Sequence, residues 1–168
     1  GCIVSSDVDF MLKVRDARLL GVVSDTENRF KNKRSWEFDV IEQGWRYHMS
    51  NIMAAIGIEQ LKKFPEMSKK RQMLAKKYDS ILIGSSYVEP LNQNYEDIVP
   101  HIYVVKCTGK NRDLIRGDLN QKNIQTGIHY QPNHFLSLYK NFSDPLPIVE
   151  NIYPKLLSLP LHADLSVK

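Results

Sequence analysis

The chain has 168 residues, 42% of them hydrophobic and 25% charged, which is enough to bury one ordinary core. Its formal charge of +4 and pI near 9.0 would suit an anionic partner, yet Lys and Arg are spread over helices and turns without a continuous stripe, which places nucleic-acid binding well below binding of a small phosphorylated ligand. No apolar run reaches membrane-spanning length and the first residues show no charged stretch followed by an apolar one, while Cys2 and Cys107 form no CxxC or His–Cys cluster. A cytoplasmic protein is therefore expected, with no membrane segment, no metal site and two reduced cysteines buried in strands.

In chain order, Cys2 to Ser6 reads as a short buried strand that begins abruptly at Gly1. Asp7 then caps a helix to about Leu19, with Val8, Met11, Leu12 and Leu19 on one apolar face and Gly21 as its stop. Residues 24 to 44 are a polar excursion in which Trp36, Phe38 and Val40 alternate as one short extended piece; loops of this length tend to be functional.

Ser50 can cap a helix to about Phe64, thinned on one side by Ala54, Ala55 and Gly57 so that another helix could pack closely. Pro65 is expected to interrupt it, and Glu66 to Leu82 resumes with Met67, Leu74, Tyr78 and Ile81 on the apolar side. The basic cluster of Lys69, Lys70, Arg71, Lys76 and Lys77 is read as a solvated face rather than a phosphate site.

After a loop rich in Asn, Ser and Pro come a strand from His101 to Cys107, a helix from Asn111 to Lys122, a strand from Ile124 to Tyr130 and a last strand from Leu156 to Leu161. Alternation of this kind predicts a small layered α/β or α+β domain with helices on one sheet.

No Gly-rich phosphate loop, GxSxG, HExxH or paired-carboxylate motif is present, so motifs alone assign no reaction. Two clusters stand out. Gly44 to Ser50 concentrates Arg46, Tyr47 and His48 at a helix start, where free N–H groups, the dipole and a guanidinium all favour an anion; the alternative is an aromatic anchor for a loop with Arg46 simply exposed. Gly127 to His134 places two histidines and a tyrosine at a strand end, a common location for ligand contacts. His101 and His162 are read as structural.

Taken together, Gly44-Trp45-Arg46-Tyr47-His48-Met49-Ser50-Asn51-Ile52-Met53-Ala54-Ala55-Ile56-Gly57 with Gln60-Leu61, then Arg71 to Tyr78, His101 to Val105, Gly127-Ile128-His129-Tyr130 and Leu157 to His162 resemble, in order and spacing, the C-terminal portion of the DegT/DnrJ/EryC1/StrS sugar aminotransferases, the perosamine synthetase-like group. The resemblance implies the small C-terminal domain of a fold-type I enzyme dependent on pyridoxal 5'-phosphate. Residues 1–49 would be the end of the large domain and an inter-subunit excursion, and residues 50–168 a long helix plus the small α/β domain.

It further implies a homodimer, a nucleotide-sugar substrate and glutamate as amino donor. The segment from Gly44 to Ser50 would reach the cofactor phosphate of the other subunit. That place is commonly an Asn followed two residues later by an Arg; Arg46 and His48 stand there in this chain and are assigned to the phosphate. His129 and Tyr130 match the family's His-Tyr pair and are assigned to substrate.

The Schiff-base lysine is expected just upstream of Gly1, so the chain itself is assigned no catalytic residue and is expected to be inactive alone. The rival reading is a non-catalytic binding or regulatory domain that kept the fold without that lysine.

Overall fold

The computed structural model describes residues 2–142 except 24–37, and residues 144–166. The chain divides into two compact units, Gly1–Gln60 and Leu61–Lys168.

In the first unit, helix α1 (Val8–Ala17) starts where expected because the Asp7 carboxylate accepts the Phe10 amide at 3.0 Å. It stops two residues earlier than expected. Leu20 and Gly21 both take positive φ, and the Gly21 amide donates back to Asp16 O at 3.0 Å.

The expected strand at Cys2 to Ser6 is absent. The segment pairs with no strand among the described residues, and Ile3 and Val4 are 55% and 89% exposed. Cys2 is accordingly exposed rather than buried, whereas Cys107 is buried in a strand as expected. Of the extended piece around Trp36, Phe38 and Val40, Trp36 lies outside the described residues; Val40 forms a single bridge with Val22.

Helix α2 (Asn51–Leu82) runs unbroken for 32 residues through Pro65, so the expected interruption does not occur. A proline lacks the N–H and crowds the preceding turn, but one missing hydrogen bond in a helix of this length can be tolerated. Ser50 is its cap, accepting the Met53 amide on Oγ at 3.3 Å. The helix buries only Leu74 and Ala75; Ile52, Ile56 and Leu61 remain exposed and the thin face at Gly57 has nothing within 4 Å.

In the second unit, β1 (Val88–Pro90), β2 (Tyr103–Cys107) and β3 (Leu156–Leu159) form an antiparallel sheet in the order β1-β2-β3. Val88 is paired with Cys107, and Val105 with Leu157. Alternation in β2 turns Tyr103, Val105 and Cys107 into the core, where they join Leu74, Ala75, Tyr95, Leu157 and Leu161. Ile81, expected on this apolar face, is 63% exposed. Burying three fully covered side chains such as Tyr103, Val105 and Leu157 contributes roughly 1.5–3 kcal/mol apiece.

The Tyr103 phenol stacks on Tyr78 at 4.8 Å and donates to Asp79 Oδ1 at 2.6 Å, tying β2 to α2. Burial, then the Asp79 carboxylate, pushes the phenol pKa well above its ordinary value, so the group stays a donor at neutral pH. Helix α3 (Arg112–Gln121) begins behind Asn111, whose side chain accepts the Asp113 amide at 2.8 Å.

The expected strand from Ile124 to Tyr130 reduces to one bridge, Gly127 with Ser158. Strand β3 is four residues long and pairs along its length with β2, leaving that segment a single point of attachment. The last strand ends at Leu159 rather than Leu161, since Pro160 has no N–H to continue the ladder. A short helix α4 (Pro147–Ile152) precedes β3.

Candidate functional site

In the first unit, the Trp45 amide donates to Ala17 O at 2.7 Å, the Tyr47 amide to Arg18 O at 2.8 Å, and the Leu20 amide to Trp45 O at 3.0 Å. These bonds hold residues 45–47 against the end of α1. Gly44 permits the approach: a Cβ there would lie 2.0 Å from the Gly21 nitrogen and 2.6 Å from Ala17 O.

Trp45 and Tyr47 stack with centroids 6.4 Å apart, an aromatic anchor of the kind the sequence left open. Arg46, between them, and His48 are both exposed, and neither has a side-chain hydrogen bond or ion pair among the described residues. The anchor and the available cation are thus both present, within five residues ahead of the Ser50 cap.

The second unit carries a groove of about 710 Å³. It is lined by Tyr78 of α2, His101, residues 123–127, His129 and residues 158–162, which end in His162. The groove's walls are fixed from α2. The Arg71 guanidinium donates through Nη1 to His101 O at 3.1 Å, Leu161 O at 3.2 Å and Pro100 O at 3.4 Å, and Tyr78 Oη donates to Pro160 O at 3.0 Å. Arg71 therefore leaves the basic cluster and acts as a clamp, while Lys70 and Lys76 pair with Glu66 and Glu96 on the solvated face.

His129 Nδ1 lies 2.9 Å from Ser158 Oγ, and its ring meets Tyr130 edge-on at 4.9 Å across a cis peptide. Tyr130 itself is 79% exposed and outside the groove's lining. His134 sits apart on a 3-10 turn, Asn133–Phe135, with Nε2 3.3 Å from Glu150 Oε1. His101 and His162, read as structural from sequence, share the groove with His129. Nothing local marks them, because the sheet and the Arg71 clamp bring together segments far apart in the chain.

No group of three or more His, Cys, Asp or Glu suited to a metal ion occurs among the described residues. No helix among the described residues is long and apolar enough to cross a membrane.

Solved structures share this fold. A candidate sugar aminotransferase of Streptococcus pneumoniae in its PMP form matches with a TM-score of 0.83 at 28% identity, over 99% of this chain and 43% of that one, and its PLP form with a TM-score of 0.81. PseC of Helicobacter pylori, an aminotransferase involved in the biosynthesis of pseudoaminic acid, matches with 0.82 at 28% identity over 98% and 44%. By sequence, the UDP-4-amino-4,6-dideoxy-N-acetyl-beta-L-altrosamine transaminase of Campylobacter jejuni is 26% identical over all of this chain and 44% of its own.

The chain therefore spans less than half the length of the relatives it matches. The aminotransferase family to which they belong takes pyridoxal 5'-phosphate as cofactor. The family model matches residues 1–168, end to end, and the chain belongs to the DegT/DnrJ/EryC1/StrS aminotransferase family.

Proposed function

We propose that this chain is the C-terminal part of an aminotransferase that moves an amino group from glutamate to the keto carbon of a nucleotide-linked deoxysugar. The enzyme would work in the cytoplasm as a homodimer and make amino sugars for cell-surface polysaccharide, lipopolysaccharide or other glycans. The observation that carries this reading is the family match over the whole chain. Residues 1–49 then belong to the large domain and the inter-subunit excursion, and residues 50–168 to the long helix and small domain. The uncovered apolar residues in the first half of α2 support further protein packing there.

Pyridoxal 5'-phosphate supplies the electron sink that makes the chemistry possible. The fit of this chain to it is partial and specific. Arg46 and His48, exposed and unpartnered among the described residues, suit the cofactor phosphate of the partner subunit. None of the described lysines is buried, so none stands in a dry pocket suited to holding the cofactor covalently. The chain alone is therefore inactive in this reading. His129 and Tyr130 hold the substrate, and the contact of His129 Nδ1 with Ser158 Oγ keeps the His129 ring in place.

The test is to express the complete reading frame that carries this chain and assay it with glutamate and a panel of nucleotide-linked keto-deoxysugars, beside the 168-residue chain alone. Turnover by the former only is expected. Arg46→Ala should weaken phosphate-cofactor affinity roughly 10- to 100-fold, the equivalent of one charge-assisted hydrogen bond. A full-length protein that binds no pyridoxal 5'-phosphate would leave the non-catalytic binding domain as the correct reading.

A further inference from the structure

Ser158 is 5% exposed, and its backbone is paired on both sides, with Val104 of β2 and, through two hydrogen bonds of 2.9 and 2.8 Å, with Gly127. Its Cα–Cβ direction is consequently fixed, and the only partner of its hydroxyl among the described residues is His129 Nδ1 at 2.9 Å. Gly127 provides the space for the ring: a Cβ there would lie 2.5 Å from His129 Cε1, 3.2 Å from Nδ1 and 3.3 Å from Nε2. The Tyr130 ring closes the arrangement edge-on.

The two ways of making this hydrogen bond are not equivalent. If Nδ1–H donated to Ser158 Oγ, the hydroxyl hydrogen of a nearly buried serine would have no acceptor among the described residues, a loss of about 1–3 kcal/mol. If Ser158 donates to Nδ1, the nearly buried hydroxyl is satisfied and the ring proton sits on Nε2. Nε2 has no protein partner among the described residues and belongs to an exposed side chain that lines the groove.

We propose that Ser158 is a positioning residue that holds His129 as the Nε2–H tautomer, seated over Gly127, so that His129 donates a hydrogen bond to an acceptor oxygen of the nucleotide sugar. This rests on the reading of His129 as a substrate residue. It deepens that reading by giving the imidazole a polarity: it recognises a phosphate, carbonyl or ether oxygen and does not take up a proton from the substrate through Nε2.

The tautomer can be read directly from the two ring-nitrogen signals in a long-range proton–nitrogen spectrum of the histidine-labelled 168-residue chain, with His129→Gln assigning the peaks. A bare Nδ1 and a protonated Nε2 are expected at neutral pH. Ser158→Ala and Gly127→Ala, acting through the hydroxyl and the ring seat separately, should each shift His129 to a tautomer mixture while the other four histidines keep their patterns.

A protonated Nδ1 in the unaltered chain overturns the proposal whatever the variants do, and so does a His129 pattern indifferent to both substitutions. Titration of the complete protein that carries this chain with uridine diphosphate N-acetylglucosamine then separates the two readings. A protonated Nε2 that the probe leaves unmoved keeps the Ser158 assignment and removes His129 from the substrate site.

Discussion

Replacing Tyr103 by Phe keeps the ring stacked 4.8 Å from Tyr78 and removes one oxygen, the donor to Asp79 Oδ1 at 2.6 Å. A hydrogen bond to a charged acceptor contributes about 1.5–3 kcal/mol; Asp79 is only half-buried, so water can replace part of it and the lower end, about 1.5 kcal/mol, is expected. With a urea dependence of roughly 1–3 kcal/mol per molar, the unfolding midpoint should fall by about 0.5–1.5 M, followed by the tyrosine near-ultraviolet dichroism of the second unit.

The same phenol contributes to the alkaline behaviour. Burial first, then Asp79, raises the folded Tyr103 pKa above the ordinary value of 10.0, so above that pH the native chain binds more protons than the unfolded one. The contribution is fully present below pH 10 and is lost as pH rises further. Burial likewise raises Tyr78 and, from 9.0, Cys107, so Tyr103→Phe should flatten the alkaline limb without removing it. A midpoint unchanged at neutral pH together with an unaltered alkaline slope would refute the assigned bond.

Two further substitutions probe the backbone. Gly44→Ala places a methyl against the Gly21 nitrogen and Ala17 O, so residues 45–47 should detach and the Trp45 and Tyr47 amides lose at least about 10-fold in hydrogen-exchange protection; unchanged protection would show that the close approach is not required. Pro65→Ala restores an N–H inside α2 and should raise stability by about 1–3 kcal/mol and increase helicity, whereas a loss of stability would mean that the proline is part of the helix's packing.

What was legible in the sequence was local. Asp7, Ser50 and Asn111 each accept an amide within three residues, so the starts of α1, α2 and α3 follow from side-chain chemistry that needs no distant partner. The strand expected from His101 to Cys107 forms over Tyr103–Cys107 with Cys107 buried, and the order of several short motifs carried the family. Tertiary structure decided everything that depends on a partner far away in the chain. Cys2 to Ser6 has strand character but no neighbouring strand among the described residues, and Ile124 to Tyr130 finds only Ser158. The groove joins residues 78, 101, 129 and 162, and the clamp under it spans Arg71 and Leu161, 90 residues apart. Single histidines carry no mark of such company: their surroundings are set by sheet register and by which carbonyls one arginine can reach, and both exist only once the chain has folded.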